Sequence, residues 1–443
     1  MVIILLRRKQ MSELINWYGA LIGLFLAILL ILRGINPVYS LFFGAIIGAF
    51  IGGANLIQTV AILTNGTQSI MGTVIRVLAA GILAGVMMES GAAETIAQAV
   101  VKKLGEKKAL LALALATGII TASGVFIPVA VLIVAPIALS VGNKMKISRL
   151  ALLLALSGGG KAGNIISPNP NTIAVANGFN LSLSDVMIAG FLPALFGLLA
   201  TVLIASLIKN KSDTITNQEV MALKNQEQDK LDTPSLAKAI VAPATAILLL
   251  MLNPIGNILH IQFLANLKID ALFILPLAGM IGMLAMGQQS KIILFTKSGI
   301  EKMTPTVLIL IGAGAIAGLI ASSNLASQVI AMIESMGISG YYLSPISGIL
   351  MAAATASTST GVIIATGAFG TTIMDMGVPT ISAAVMMHTG ATVIDSLPQG
   401  NYFHVTANSM NMSIKQRMKL IPYEALVGGT MTLVATIFYA FIY

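Results

Sequence analysis

The chain has 443 residues, of which 57% are hydrophobic and 9% charged, and its mean hydropathy is +0.94. A soluble domain is roughly half apolar and about a quarter charged, so this composition excludes an ordinary water-facing surface. The net charge of +9 comes from short basic clusters between apolar stretches, a pattern that indicates membrane topology and not nucleic-acid binding.

Apolar stretches of about 18 residues recur along the chain, which is the length that an α-helix needs to cross a bilayer. They lack the alternation of transmembrane β-strands, so we predict an all-α polytopic membrane protein. The first half contains three spans, a hairpin, an interrupted span and a last span: Leu14–Leu32, Val38–Gly53, Gly72–Ser90, Ala109–Gly142, Leu150–Thr172 and Asp185–Ile208.

A polar segment, Lys209–Lys238, separates this half from a second half of the same composition. The second half contains the same series of elements: Ala239–Leu259, Ala271–Gly287, Thr306–Ser322, Tyr341–Thr372, Thr380–Tyr402 and Tyr423–Ile442.

Three sequence matches at offsets of 233, 234 and 230 residues indicate an internal repeat. They are GILAGVMMESGAAETIAQAV from Gly81 with GAIAGLIASSNLASQVIAMI from Gly314, TASG from Thr121 with TAST from Thr355, and Pro168–Asn171 with Pro398–Asn401. We therefore predict a first repeat over residues 14–208, a polar loop over 209–238 and a second repeat over 239–443.

The fourth element of each repeat is predicted to be a re-entrant hairpin. The TASG tip in Ala109–Gly142 leaves an arm of about 12 residues, which covers only about 18 Å as a helix. With hairpins that enter and return, all loop clusters of Lys and Arg between the spans lie on one side, which the positive-inside rule makes cytoplasmic. Each repeat then crosses the membrane five times. Because five is an odd number, the second repeat enters the membrane from the opposite side, so the two repeats are inverted. This frame leaves Arg7, Arg8 and Lys9 outside unless translation begins at Met11.

Four polar interruptions lie near the predicted membrane midplane, where transporters of this architecture bind substrate. They are TASG from Thr121, TASTST from Thr355, SGGGKAGNIISPNPN from Ser157 and HTGATVIDSLPQGN from His388. Helix N-termini at such breaks favour anions, although a single hydroxyl can equally serve helix packing. The candidate substrate-binding residues are Ser123, Lys161, Asn164, Ser167, Asn169, Asn171, Thr358, Ser359 and Thr392.

Asp395 and His388 are candidates for coupling transport to protons. They are seven residues apart, which is two turns if the helix stays wound, so both can face one cavity. Burial and nearby charge bring the titration of such groups toward working pH. The alternative is a structural hydrogen bond across the break.

The segment GGGKAGNIISPNPNTIA at residues 158–174 resembles the signature of the gluconate permease family, the gluconate:proton symporters of the ion-transporter superfamily. The resemblance implies proton-coupled symport of gluconate or a related sugar acid across the bacterial inner membrane, with Asn164, Ser167, Asn169 and Asn171 in the polar break. HTGATVIDSLPQGNYFH departs from the gluconate transporters and looks more like a related subgroup of permeases. A sodium- or proton-coupled di- or tricarboxylate carrier is the alternative.

Enzymatic and channel functions are disfavoured. GxSxG is absent around Ser157 and Ser396, and the lack of cysteine excludes thiol chemistry and a Cys zinc site. We therefore expect no catalytic residues, metal site or cofactor. The expected partners are a small organic anion, a coupling proton or sodium ion and the lipid bilayer, without nucleic acid, and a homodimer is a possible assembly.

Overall fold

The computed structural model describes residues 15–216, 233–267, 269–325, 339–398 and 400–442, together with residues 328, 331 and 335. Arg7, Arg8, Lys9 and most of the central polar loop lie outside the described residues. In the first half the helices are α1 (Trp17–Leu32), α2 (Pro37–Ile51), α3 (Leu56–Ser69), α4 (Met71–Glu89), α5 (Ala92–Leu104), α6 (Ala109–Ala122), α7 (Ile127–Met145), α8 (Arg149–Ile165), α9 (Pro170–Gly178), α10 (Leu183–Ala189) and α11 (Phe191–Leu207).

The described residues of the second half are also mostly helical, so the predicted all-α class is confirmed. Its helices are α12 (Leu236–Ala239), α13 (Val241–Ile258), α14 (Gln262–Ala265), α15 (Ala271–Met286), α16 (Ile292–Ala321), α17 (Leu343–Thr355), α18 (Thr358–Asp375), α19 (Thr380–Gly390), α20 (Asn401–Ser409), α21 (Ile414–Met418) and α22 (Ile421–Ile437).

The number of membrane crossings set by helix length and composition is smaller than the ten predicted. Among the described residues, six helical segments are long and apolar enough to cross, or seven if α10 and α11, bent by 43°, form one span. The apolar helices α1, α2 and α15 have 15 or 16 residues, which is below the roughly 17–25 of a typical span. The predicted span Thr380–Tyr402 is helical only in α19 and in the first two residues of α20.

Both predicted hairpins are pairs of helices, α6 with α7 and α17 with α18. The arms α6 and α17 have 14 and 13 residues, so each measures about 20 Å, short of a hydrocarbon core of about 30 Å. The partner arm α7 has 19 residues and is long enough to cross by itself. The turns between the arms are short and place Ser123 and Ser357 next to helix ends.

The two interrupted spans break where polar residues were predicted to interrupt them. Asn169 ends the first break, because its side chain accepts from the backbone amides of Asn171 and Thr172 at 2.8 and 3.2 Å. Pro170 follows at the first position of α9, where a helix needs no amide donor. The second break lies between α19 and α20 and includes the described residues 391–398 and 400.

Some helices extend beyond the predicted apolar elements. α3 starts with a capping box between Asn55 and Gln58 and continues through a more polar stretch. α16 begins at Ile292, well before the predicted span Thr306–Ser322, and its early turns carry exposed Lys297 and Glu301. An exposed charge ends an apolar stretch of sequence but does not end a helix. The helices are therefore longer than the predicted apolar spans.

Glycines bring α16 close to both α3 and α4. A Cβ atom on Gly66 would lie 2.2 Å from the carbonyl oxygen of Gly314, and one on Gly299 would lie 2.0 Å from that of Gly81. A larger residue at Gly66 or Gly299 would therefore push two helix backbones apart. Such small-residue contacts are typical of helix packing in membranes.

Several contacts join the helix ends and loops that carry the Lys clusters to one another or to neighbouring segments. They are Lys144 with Glu106 (2.9 Å), Lys302 with Glu89 (2.6 Å), Thr95 Oγ1 with the Pro234 carbonyl (3.0 Å), the Ser148 amide with the Lys209 carbonyl (2.7 Å) and Gln416 Nε2 with Asp213 (2.7 Å).

Candidate functional site

A buried ion pair joins the two broken spans. Lys161 lies on α8, whose 17 residues are all buried, and its Nζ lies 2.6 Å from Oδ1 of Asp395 in the second break. The same Nζ donates to the carbonyl oxygen of Thr392 at 2.7 Å. The two charged side chains are 1% and 4% exposed, so each depends on the other for charge compensation.

Two hydroxyl groups complete the surroundings of the Asp395 carboxylate. Thr358, the first residue of α18, donates to Oδ2 at 2.5 Å, and Ser396 donates to Oδ1 at 2.8 Å. A buried carboxylate is stabilised by such donors. The second hairpin tip is thereby bonded to the second break, and through Asp395 to α8.

A cavity of about 80 Å³ adjoins this ion pair. Residues from both hairpins and both interrupted spans line it: Phe126, Ile127, Pro128, Asn164, Asn171, Ser357, Thr358, Ser359, Asp395 and Tyr402. Its volume accommodates a few water molecules. Three of the four polar interruptions therefore meet at one place, together with the residues that follow the TASG tip, although they are far apart in the sequence.

Unpaired polar atoms lie in the first break. Asn164 Nδ2, Ser167 Oγ and Asn171 Oδ1 are buried and have no hydrogen-bond partner among the described residues. Leaving such a group unsatisfied costs about 1–3 kcal/mol, so a ligand or water that reaches it is favoured. Asn164 and Asn171 both line the cavity, and their side chains hold an unpaired donor and an unpaired acceptor, which suits carboxylate and hydroxyl oxygens.

The predicted site residues fall into two groups. Five line the cavity: Asn164, Asn171, Thr358, Ser359 and Asp395. The others are buried but do not line it in this conformation: Ser123, Lys161, Ser167, Asn169, Thr392 and His388. Local hydrogen bonds explain why two of these side chains do not line the cavity. Ser123 Oγ donates to the Ile120 carbonyl at 2.6 Å, and Asn169 Nδ2 donates to Asn164 Oδ1 at 2.6 Å.

His388 is fully buried on α19, and neither of its ring nitrogens has a hydrogen-bond partner among the described residues. The predicted cooperation with Asp395 is therefore not a direct hydrogen bond in this conformation. Helix α19 ends at Gly390, before Asp395. The two residues therefore do not lie on one helix face, although a continuous helix with their seven-residue spacing would place them there.

A second buried ion pair near the site was not predicted. Arg417 donates to both carboxylate oxygens of Glu424 at 2.7 and 3.0 Å, and both side chains are at most 1% exposed. Ser157 Oγ donates to Glu424 Oε1, and the Tyr402 hydroxyl donates to Ser157 Oγ at 2.7 Å. One signal in the sequence points to it, since a carboxylate at the start of the span Tyr423–Ile442 requires a partner.

A larger polar cavity of about 690 Å³ lies elsewhere, around the Arg76–Asp270 ion pair at the C-terminal end of α9. Asn177 of α9 borders it and accepts from Arg76 at 3.3 Å. We place the candidate site in the smaller cavity, because that one adjoins the buried Lys161–Asp395 pair and the unpaired amides. Helix α9 connects the two, with Asn171 at the site and Asn177 in the larger cavity.

Comparisons with known proteins agree on a transporter. The family model of the GntP family permeases matches residues 15–442. An uncharacterized transporter of Haemophilus influenzae is 49% identical over 421 residues, 95% of this chain and 97% of that protein. The high-affinity gluconate transporter of Escherichia coli is 22% identical over 438 residues, 95% and 97% of the two chains.

The fold is also similar to that of a solved transporter. The Neisseria gonorrhoeae MtrF structure, which represents a class of antimetabolite efflux pumps, superimposes with a TM-score of 0.63 at 13% identity, covering 94% of this chain and 96% of that one. The family match confirms the resemblance of residues 158–174 and the prediction that the chain is not an enzyme. This chain is a membrane transporter that belongs to the GntP permease family.

Proposed function

We propose that this chain is a secondary active transporter that couples the uptake of a sugar acid, gluconate or a close relative, to protons. The observation that carries the proposal is the buried Lys161–Asp395 pair beside a cavity with unpaired amide atoms. The gluconate transporter among the relatives supports the substrate class.

Charge balance in the Lys161–Asp395 pair provides the coupling. Ionised Asp395 neutralises Lys161 and repels an anion from the cavity that it lines. Protonation of Asp395 leaves the Lys161 charge to be matched by a substrate carboxylate. Proton and anion then favour the binding of each other by the same free energy. His388, whose ring nitrogens are unpartnered, is a second candidate carrier of the coupling proton.

The binding residues follow from the cavity. Four residues that line the cavity contact the substrate: Asn164, Asn171, Thr358 and Ser359. A modest widening of the cavity brings the substrate into contact with the other predicted residues, Ser123, Ser167, Asn169 and Thr392. One buried Lys beside the site suits one carboxylate, which favours a monocarboxylate with hydroxyl groups over a di- or tricarboxylate.

Two inverted repeats, residues 14–208 and 239–443, are part of the proposal. The Gly66–Gly314 contact between α3 and α16 has a counterpart in the Gly299–Gly81 contact, and each residue of one lies 233 positions from a residue of the other. Reciprocal contacts of this kind are expected from a two-fold relationship. The proposed repeat has five crossings and a re-entrant hairpin.

The proposed location is the bacterial inner membrane, with residues 209–238 in the cytoplasm. The contacts that gather the Lys-bearing loops at one end support this orientation, because cytoplasmic loops carry the excess of Lys and Arg.

Uptake by the purified protein in proteoliposomes tests the function. Labelled gluconate, other sugar acids and dicarboxylates are offered under an imposed proton or sodium gradient. We expect a proton gradient to drive accumulation of a sugar acid. Accumulation of dicarboxylates alone, or under a sodium gradient alone, would support the alternative carrier, and flux without accumulation would support a channel.

A further inference from the structure

A chain of hydrogen bonds leads from the candidate cavity to the Arg417–Glu424 pair. Tyr402 lines the cavity, its hydroxyl donates to Ser157 Oγ at 2.7 Å, and Ser157 Oγ donates to Glu424 Oε1. Both bonds are donated in the same sense, from Tyr402, which lines the cavity, toward Glu424. One concerted shift along these bonds therefore carries a proton toward Glu424.

Glu424 lies near the end of the protein at which the Lys-bearing loops meet. Arg417, its partner, stands between exposed Lys415 and Lys419, and the neighbouring Gln416 bonds to Asp213 in the loop after α11. The hydrogen-bonded chain thus starts in the cavity and ends close to that surface. A purely structural ion pair needs neither the link to the cavity nor the aligned donors.

We propose that Glu424 is the acceptor of the coupling proton when it leaves the site, and that Tyr402 and Ser157 relay it. This rests on the proposed proton-coupled function and adds the route. A proton from Asp395, carried by water in the cavity, binds the Tyr402 oxygen while the Tyr402 proton moves to Ser157 and the Ser157 proton moves to Glu424. Each relay oxygen breaks one O–H bond and forms one, so Asp395 loses a proton and Glu424 gains it.

The charges around Glu424 suit a transient acceptor. Titratable and charged side chains on the surrounding elements are Lys415 and Arg417 on α21, Tyr402 and His404 on α20, Lys161 and Arg149 on α8, His388 on α19 and Tyr439 after α22, whereas α11 carries none. Arg417 donates to both carboxylate oxygens of Glu424 and stands between exposed Lys415 and Lys419, so a proton that leaves Glu424 leaves at the end where the basic loops meet.

Ser157→Ala tests the relay, because it interrupts the chain and leaves the Arg417–Glu424 pair in place. Thr406→Val is the matched control, since buried Thr406 accepts from Arg417 Nε at 3.0 Å but stands outside the chain. In proteoliposomes with labelled gluconate, we expect Ser157→Ala to lower pH-gradient-driven accumulation about tenfold or more while counterflow exchange stays close to wild type. Thr406→Val should preserve both activities.

Other outcomes separate the relay from the proposed function. Equal losses in Ser157→Ala and Thr406→Val, or full proton-driven accumulation by both Ser157→Ala and Tyr402→Phe, would overturn the relay. If Asp395→Asn abolishes coupling while the relay variants keep it, the proposed function stands and the relay is wrong. If the wild-type protein accumulates no sugar acid in a pH gradient, the proposed function is overturned and the relay with it.

Discussion

Lys161 and Asp395 are 234 residues apart in the chain, and their side chains meet at 2.6 Å in the interior. The same offset separates the TASG and TAST tips of the two halves. Within the interrupted spans the offset is 230, so in the proposed repeat the two residues hold nearly equivalent positions. Nearly equivalent positions that touch must lie close to the axis relating the repeats. A Lys on one side of that axis and an Asp on the other make a charge pair at the centre of the protein.

Asp395→Asn should abolish accumulation driven by a pH gradient and leave counterflow exchange partly intact. The amide cannot gain or lose the coupling proton, whereas exchange needs no net proton movement. Transport by proteoliposomes under both conditions measures this, with exposed Asp375→Asn as the control. Full proton-driven uptake by Asp395→Asn would refute the assignment, and loss of both activities would indicate a structural role.

Lys161→Met should lower the free energy of unfolding by about 3–5 kcal/mol, because it leaves Asp395 buried without its cation. The double variant Lys161→Met/Asp395→Leu should recover most of that loss, since an apolar pair of similar volume replaces a buried ion pair at little cost. Thermal unfolding in detergent measures both. A double variant as unstable as the single one would mean that packing, not charge, controls stability here.

A cysteine at Ser359 should be protected from thiol reagents by substrate, because Ser359 lines the cavity. We expect weaker protection at Ser123→Cys, because the Ser123 side chain bonds to its own helix and does not line the cavity. The chain contains no other cysteine, so labelling reports each site directly. Equal labelling of Ser359→Cys with and without substrate would show that this hairpin tip is not part of the binding site.

A cysteine at exposed Ser235 should react with an impermeant reagent only from the cytoplasmic side, whereas one at exposed Asn266 should react from outside. The expected difference follows from the positive-inside orientation. Labelling of intact cells and of inside-out vesicles measures it. Reaction of Ser235→Cys in intact cells would overturn the proposed orientation.

Asp270 should contribute a small, pH-dependent stability. Hydrogen bonds from Arg76 at 2.6–3.0 Å lower the pKa of the Asp270 carboxyl below its usual value. The contribution is thus present above the unfolded pKa of about 3.9 and is lost as the pH falls through the folded pKa. The side chains are 30% and 36% exposed, so we expect about 0–1 kcal/mol. The stability difference between wild type and Asp270→Asn should be present at neutral pH and vanish in acid.

Much of the site was predictable because polar residues inside apolar spans are costly and stand out. The breaks around Asn169 and Asp395 and the tip at Thr358 were located from that contrast alone. Arg417 was missed because it belongs to a run with Lys415 and Lys419 and was assigned to the basic loop. The carboxylate of Glu424 signals a buried partner, but no local pattern shows that Arg417 is that partner.

The sequence by itself determined the helical membrane class, the family and the places where helices break, since these depend on composition, span length and local capping by residues such as Asn169. The tertiary structure alone decided which polar groups meet. It paired Lys161 with Asp395, directed Ser123 to its own helix and kept His388 without a hydrogen bond to Asp395. The physical reason is that a buried charge must be compensated, but the chain offers several partners, and only the packing of helices distant in sequence selects one.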